Sequence, residues 1–301
     1  MSTDWVTFDG KGKHIVLISG DEEYRSEEAM PQLARILSTH HGFKVTVLFA
    51  IDPTTNNVNP DRIDNIPGLE ALKTADLAVF FIRWRDLPDS QMKFIVDYVE
   101  SGRPIIGMRT ATHAFNLKSS KTYERWTWNS KEWDGGFGRQ VLGETWIAHH
   151  GKHKVQSTRA RIVPEQAKHP ILRGIRDGEI WTPTDVYTVK LPLPGDSSAL
   201  LLGEVLDGMQ PSDKAAAGPQ NEPRLPVAWT KTYKGARVFT TTMGSSQDLL
   251  NEGFRRLMVN AIYWALGLEV PGKSRVDLVG MYEPHAFGFK GSIQGRKPQE
   301  F

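Results

Sequence analysis

A chain of 301 residues that is 39% hydrophobic is long enough to bury one large core or two small ones. A net charge of +2 with no long basic tract gives no electrostatic case for nucleic acid, and no apolar stretch is long enough for a bilayer. The lack of cysteine excludes disulfides, thiolate metal sites and a cysteine nucleophile.

Residues 1–5 lack the basic and apolar regions of a signal peptide, so the chain is expected to be soluble, either cytoplasmic or as an exported mature form. Residues 14–19 (His-Ile-Val-Leu-Ile-Ser) are a strand-length apolar run ended by Gly20-Asp21. Ser26, Glu27 and Glu28 suit a helix start, though Pro31 moves the expected regular start towards Met30. Leu33, Ile36 and Leu37 supply its apolar face and Gly42 closes it. A second strand is predicted over 43–49, a loop over 51–68, a short helix over 69–73 and a third strand over 76–82. Met92, Ile95, Val96 and Val99 mark a helix over 90–101, stopped by Gly102 and followed by a strand over 104–107. This alternation predicts an α/β fold: a mainly parallel sheet with right-handed crossovers and helices on both faces.

Residues 116–138 are irregular and aromatic, and strands are predicted over 154–163, 187–191 and 200–205. Segments 227–230 and 237–243 pair around Lys234-Gly235, and an amphipathic helix covers 254–266. The simplest organisation is one α/β domain over 1–270 and an extended tail over 271–301 that wraps the surface or a partner.

In a parallel sheet, ligands gather outside the carboxyl ends of strands. The first strand exit offers Asp21, Glu22, Tyr24 and Arg25, and the third offers Arg83, Trp84 and Arg85. The fourth opens the motif Gly107-Met108-Arg109-Thr110-Ala111-Thr112-His113-Ala114-Phe115, and the strand at 237–243 leads to Ser245 and Asp248. Arg109 must reach water or pair with acid. Asp21 and Glu22 are its expected partners, and the alternatives are a buried ion pair or a fork for ligand oxygens. His149-His150-Gly151-Lys152-His153 is the densest histidine cluster, a candidate for acid–base work or, with all three histidines, for a divalent metal. Trp126, Trp128, Trp133 and Phe137 suit either a lid or stacking on a sugar ring, with Trp128 and Trp133 the candidate sugar contacts.

The segment Gly20-Asp21-Glu22-Glu23-Tyr24-Arg25, the motif at 107–115, the tryptophan-rich insert, Leu142-Gly143 before His149-His150-Gly151, residues 169–175 and Met243-Gly244-Ser245 together resemble the ThuA-like family of trehalose-utilisation type. The likeness covers roughly 13–268 and looks closest to the branch common in planctomycete-type bacteria, whose members are often exported. It implies a flavodoxin-like fold similar to class I glutamine amidotransferases. Their nucleophilic cysteine would fall within 108–112, where none exists, so amidotransferase chemistry is excluded. The turn at 243–248 also lacks the histidine expected from a Gly-His-Pro-like sequence.

The resemblance implies carbohydrate utilisation, with His113, His149 and His150 as the motif positions carried over. One reading is an enzyme acting on a sugar or keto-sugar, with His113 or His149 transferring the proton and Arg109 polarising an oxygen. Asp21, Glu22, Tyr24, Arg25, Arg83, Arg85, Thr110, Trp128, Trp133, His150 and Ser245 would then bind substrate. The alternatives are a non-catalytic sugar-binding or assembly module, and a metal-dependent hydrolase on His149, His150 and His153. No cofactor is expected beyond that metal. The partner is a small carbohydrate, with neither nucleic acid nor membrane, and the tail offers a route to a homo-oligomer.

Overall fold

Leu, Ile, Val and Phe fill the strands at the middle of one ten-stranded sheet, as expected where strands are covered on both faces. The computed structural model describes residues 4–301. Residues 1–3, which belong to the expected domain and to the start that lacks signal-peptide features, lie outside the described residues. In chain order the strands are β1 (Trp5–Phe8), β2 (His14–Gly20), β3 (Lys44–Phe49), β4 (Leu77–Ile82), β5 (Ile105–Met108), β6 (Ser157–Ile162), β7 (Trp181–Thr182), β8 (Ser198–Leu206), β9 (Leu225–Tyr233) and β10 (Ala236–Thr241). The helices α1 (Ser26–His41), α2 (Asp89–Glu100) and α3 (Glu252–Ala265) complete the frame.

The strand order is β1-β3-β2-β4-β5-β10-β9-β8-β6-β7. Pairing is parallel from β3 through β2, β4 and β5 to β10, and antiparallel at β1 and from β10 through to β7. The sheet is therefore mixed, with a parallel centre, rather than mainly parallel. The cause is local: Lys234 (φ 51°) and Gly235 (φ 81°) form a two-residue turn of the kind that folds a strand straight back on its neighbour. Parallel neighbours need a longer crossover.

Alternate side chains of β2 sort into two clusters. Ile15 and Leu17 pack with Leu33 and Leu37 of α1 and Leu257 of α3, whereas Val16 and Ile18 pack with Met92, Ile95 and Val99 of α2. Each such buried side chain contributes roughly 1.5–3 kcal/mol. Helix α1 begins at Ser26, not near Met30, and carries Pro31 inside it. The proline forgoes one hydrogen bond, and burial of nearly the whole N-terminal half outweighs that loss. Gly42, at φ 68°, caps its end through bonds to the Leu37 and Ser38 carbonyls.

Residues 187–191 form no strand. Tyr187 makes a single bridge to His149, and the Lys190 N–H is taken by Glu144 Oε2 at 2.9 Å. The strand expected over 154–163 begins only at Ser157, because Gln156 N–H closes a turn onto the Lys152 carbonyl. The short strands β1 and β7 were not legible in the sequence pattern. The tail docks on its own chain: Val276, Phe287 and Phe301 join the α1 cluster, and Val58 N–H bonds the Arg296 carbonyl at 2.8 Å.

Candidate functional site

The β2 exit is shaped by one carboxylate. Asp21 Oδ1 accepts the N–H groups of Glu23 (2.7 Å) and Tyr24 (2.5 Å), and Oδ2 accepts the Thr110 hydroxyl from the β5 exit. Burial, with Glu22 alongside, pushes the Asp21 carboxyl up to about 6, against the pull of Thr110 and Tyr24.

At the β5 exit the chain bends into a strained elbow with Arg109 at φ 44°, a region rare for a residue with a side chain. Its guanidinium is sealed from solvent. Nη1 donates to the carbonyls of Asp185 (2.6 Å) and Thr242 (2.7 Å), and Nη2 donates to Asp185 Oδ1 (2.9 Å) and the Tyr24 hydroxyl (3.1 Å). The Tyr187 and Tyr24 ring centroids lie 3.7 and 4.6 Å from its central carbon. The expected partners Asp21 and Glu22 are therefore replaced by Asp185, and the alternative of a buried ion pair is the one observed. Burial alone would raise the Asp185 carboxyl; Arg109 foremost, then His149 and His153, hold it well below the usual carboxylate range.

Two histidines meet the same carboxylate. His149 Nδ1 donates to Asp185 Oδ2 at 2.7 Å, and Nε2, on a side chain 35% exposed, has no hydrogen-bond partner among the described residues. His153 donates from Nδ1 to Asp185 Oδ1 (3.2 Å) and from Nε2 to Glu23 Oε1 (3.1 Å). A ring bonded at both nitrogens to carboxylates is an imidazolium. Its hydrogen bonds to Asp185 and Glu23 raise it to about 9, against the opposing effect of burial. The two rings lie 4.7 Å apart.

His113 is the third imidazole. Its Nδ1 meets Thr112 Oγ1 at 3.1 Å, and its ring is buried against Trp84 (5.1 Å), Trp146 (5.6 Å) and Tyr187 (6.1 Å). Burial first, then Arg83, Arg109 and His149, hold it well below the ordinary histidine value, so it is neutral at physiological pH. Trp128 completes the aromatic group, 6.0 Å from Trp84 and 6.3 Å from Trp146, and all three tryptophans keep partial exposure. Trp146 in turn lies 6.1 Å from His149. The β2, β4 and β5 exits thus join the 146–153 segment and Asp185 in one connected array. It sets a neutral histidine, a half-free histidine and a fixed imidazolium beside aromatic faces.

Several residues named from the sequence are engaged elsewhere. Arg85 is fully buried, bonding Glu22 Oε2 (2.5 Å) and the carbonyls of Pro60 and Arg62 (2.9 Å each), so it clamps the 51–68 loop. Arg25 is buried and bonds the Gly288 carbonyl of the tail. Ser245 is buried, with its hydroxyl on Asp248 Oδ1 at 2.7 Å. Burial pushes that carboxyl up to about 6 against Ser245 and Thr184. His150 turns away from the other two histidines to the Gln220 carbonyl at 2.8 Å, because successive side chains of an extended segment point oppositely. Trp133 packs on Trp126 (5.2 Å) and Tyr233 (6.4 Å), so the insert divides into a packed part and Trp128. Arg83 stays near the array, paired with Glu22 and 4.1 Å over the Trp84 ring.

Asp185 and Trp146 escaped sequence reasoning, whereas Glu23 stood only within the segment 20–25 and Tyr187 only at the start of an expected strand. The only local signals were a lone carboxylate in the hydroxyl-rich run 181–188 and a tryptophan three residues before His149. Among the described residues, the grouping with metal-ligand geometry is His149, His153 and Asp185, whose ligand atoms lie within 4.8 Å of one another, in place of the expected set with His150.

A family model described as ThuA, trehalose utilisation, matches residues 14–265. Among solved structures, a ThuA-like protein from Parabacteroides merdae is 16% identical with a TM-score of 0.54, covering 96% of this chain and 99% of that one. One from Bacteroides uniformis is 15% identical with a TM-score of 0.51, covering 87% and 94%. At such identities the likeness speaks to fold. No curated protein matches the sequence. No helix among the described residues is long and apolar enough to cross a membrane.

Proposed function

The chain belongs to the ThuA trehalose-utilisation family, and from that premise we propose that it acts on a sugar or keto-sugar by acid–base chemistry at this array. The observation that carries the reading is the His149–Asp185 pair. A carboxylate 2.7 Å from Nδ1 holds a proton on that nitrogen and leaves Nε2, on a partly exposed side chain, as the nitrogen available to a substrate. Nε2 takes the proton from a hydroxyl, or from a carbon beside a keto group, while neutral His113 hydrogen-bonds an oxygen of the same sugar. Trp84, Trp128 and Trp146 offer faces to its C–H surface. Arg109 acts through Asp185 as a positioning residue, and His153 keeps a fixed positive charge beside the reacting oxygen.

Wild-type protein, His149→Ala and His113→Ala are incubated with trehalose and with its keto form, and products are followed by NMR. His149→Ala is expected to lose about a hundredfold or more in turnover while sugar affinity stays within a few fold. Binding without turnover in the wild type would instead identify a sugar-binding module. A second reading, a divalent cation on His149, His153 and Asp185, is favoured by their geometry and by Glu23 standing behind His153 as a carboxylate that orients a ligand. It requires expulsion of the His153 proton, so cation binding would release acid. The same assay after chelator treatment separates the two: the proton-transfer reading keeps its rate.

A further inference from the structure

The tail lies beyond the residues matched by the family model, yet it borders the array. Five contacts fix it there. His285 N–H and its ring both meet the Glu28 carboxylate (2.8 and 2.9 Å), and the Ser246 hydroxyl donates to the His285 carbonyl at 3.0 Å. Gly288 N–H bonds the Glu23 carbonyl at 2.7 Å, and the Arg25 guanidinium bonds the Gly288 carbonyl. Gly288 sits at φ 151°, a conformation that side-chain-bearing residues rarely adopt. Phe287, 6% exposed, stacks on Tyr24 at 5.3 Å and lies 5.5 Å from His153.

On this anchored strap the next residue points differently. Phe289 is 57% exposed and its ring stands 5.1 Å from the Arg83 guanidinium, which also lies 4.1 Å over the Trp84 ring and is ion-paired with Glu22 and, at 3.6 Å, with Glu23. A large aromatic left half in water, on backbone held by buried contacts, offers a ring-stacking surface in a fixed position. Trp84 in turn belongs to the tryptophan group around His113. Two aromatic faces therefore flank one cation, one beside the array and one further out along the tail.

We propose that Phe289 and Arg83 form an outer subsite for the second ring of a disaccharide, making the tail a specificity-determining part of the site. The inference rests on the carbohydrate reading above. The inner ring lies over the tryptophans near His113 and His149; the outer ring stacks on Phe289, with its hydroxyls within reach of Arg83. Monosaccharides fill only the inner position and are indifferent to Phe289.

Glucose and trehalose are titrated by calorimetry into full-length wild type, Phe289→Ala and Phe289→Tyr. Thermal melts confirm that all three fold, as an exposed position should allow. Phe289→Ala is expected to weaken trehalose about five- to tenfold and leave glucose within about twofold, with Phe289→Tyr restoring trehalose binding. Equal weakening of both sugars, or no change in either, overturns the outer subsite while the carbohydrate reading stands. A wild type that binds neither sugar overturns the outer subsite, and the carbohydrate reading falls with it only if the keto form is not turned over either. Because this experiment reads affinity and the His149 experiment reads turnover, either can fail alone.

Discussion

The sealed centre around Arg109 and the face around His113 and His149 are built from neighbouring residues and meet through Asp185, yet they follow opposite physics. In the first, each formal charge is matched at close range: Arg109 against Asp185, and Arg85 against Glu22. In the second, His113 is neutral, His149 keeps a nitrogen free, and tryptophan rings retain exposure. Charge at a strand exit therefore does not by itself mark a binding surface. Buried ions are consumed in holding loops together, and the groups left over for a ligand are the titratable and aromatic ones.

The largest test of this contrast is Arg109→Met. It leaves the Asp185 carboxylate buried beside histidines only and should destabilise the fold by about 3–5 kcal/mol, read from urea denaturation midpoints. An unchanged midpoint with lost sugar affinity would move Arg109 into the open face. A smaller effect concerns pH. His153 in the folded protein is raised from 6.5 to about 9, so its contribution to stability is complete below about 6.5 and disappears as pH rises through about 9. Midpoints should fall across that window in the wild type and fall less in His153→Gln; parallel slopes would show that other groups carry the dependence. The smallest effect is expected from His150→Ala, whose ring bonds the Gln220 carbonyl away from the array. Sugar affinity and turnover should change by less than about twofold, and a loss comparable to that of His149→Ala would place His150 in the working face.

The parallel centre was legible because each of its strands is a local apolar run, and the elbow at 107–115 was legible because Arg and His directly follow such a run. What joins these pieces was not. His149 finds Asp185 across 36 positions and Arg25 finds Gly288 across 263, and no periodicity encodes pairing at that distance. The irregular segments 143–153 and 183–189 supply Asp185, Trp146 and Tyr187 from backbone with almost no regular pairing, where pattern reading has least purchase. The exits of β2, β4 and β5 were therefore foreseeable as a group, while the identity of the acid between the histidines was not.

Glu23 occupies both worlds at once: its main-chain oxygen secures Gly288, and its side chain grips His153. Shortening the protein from its end, or fusing a bulky tag there, would thus be felt at the imidazolium as well as at the surface.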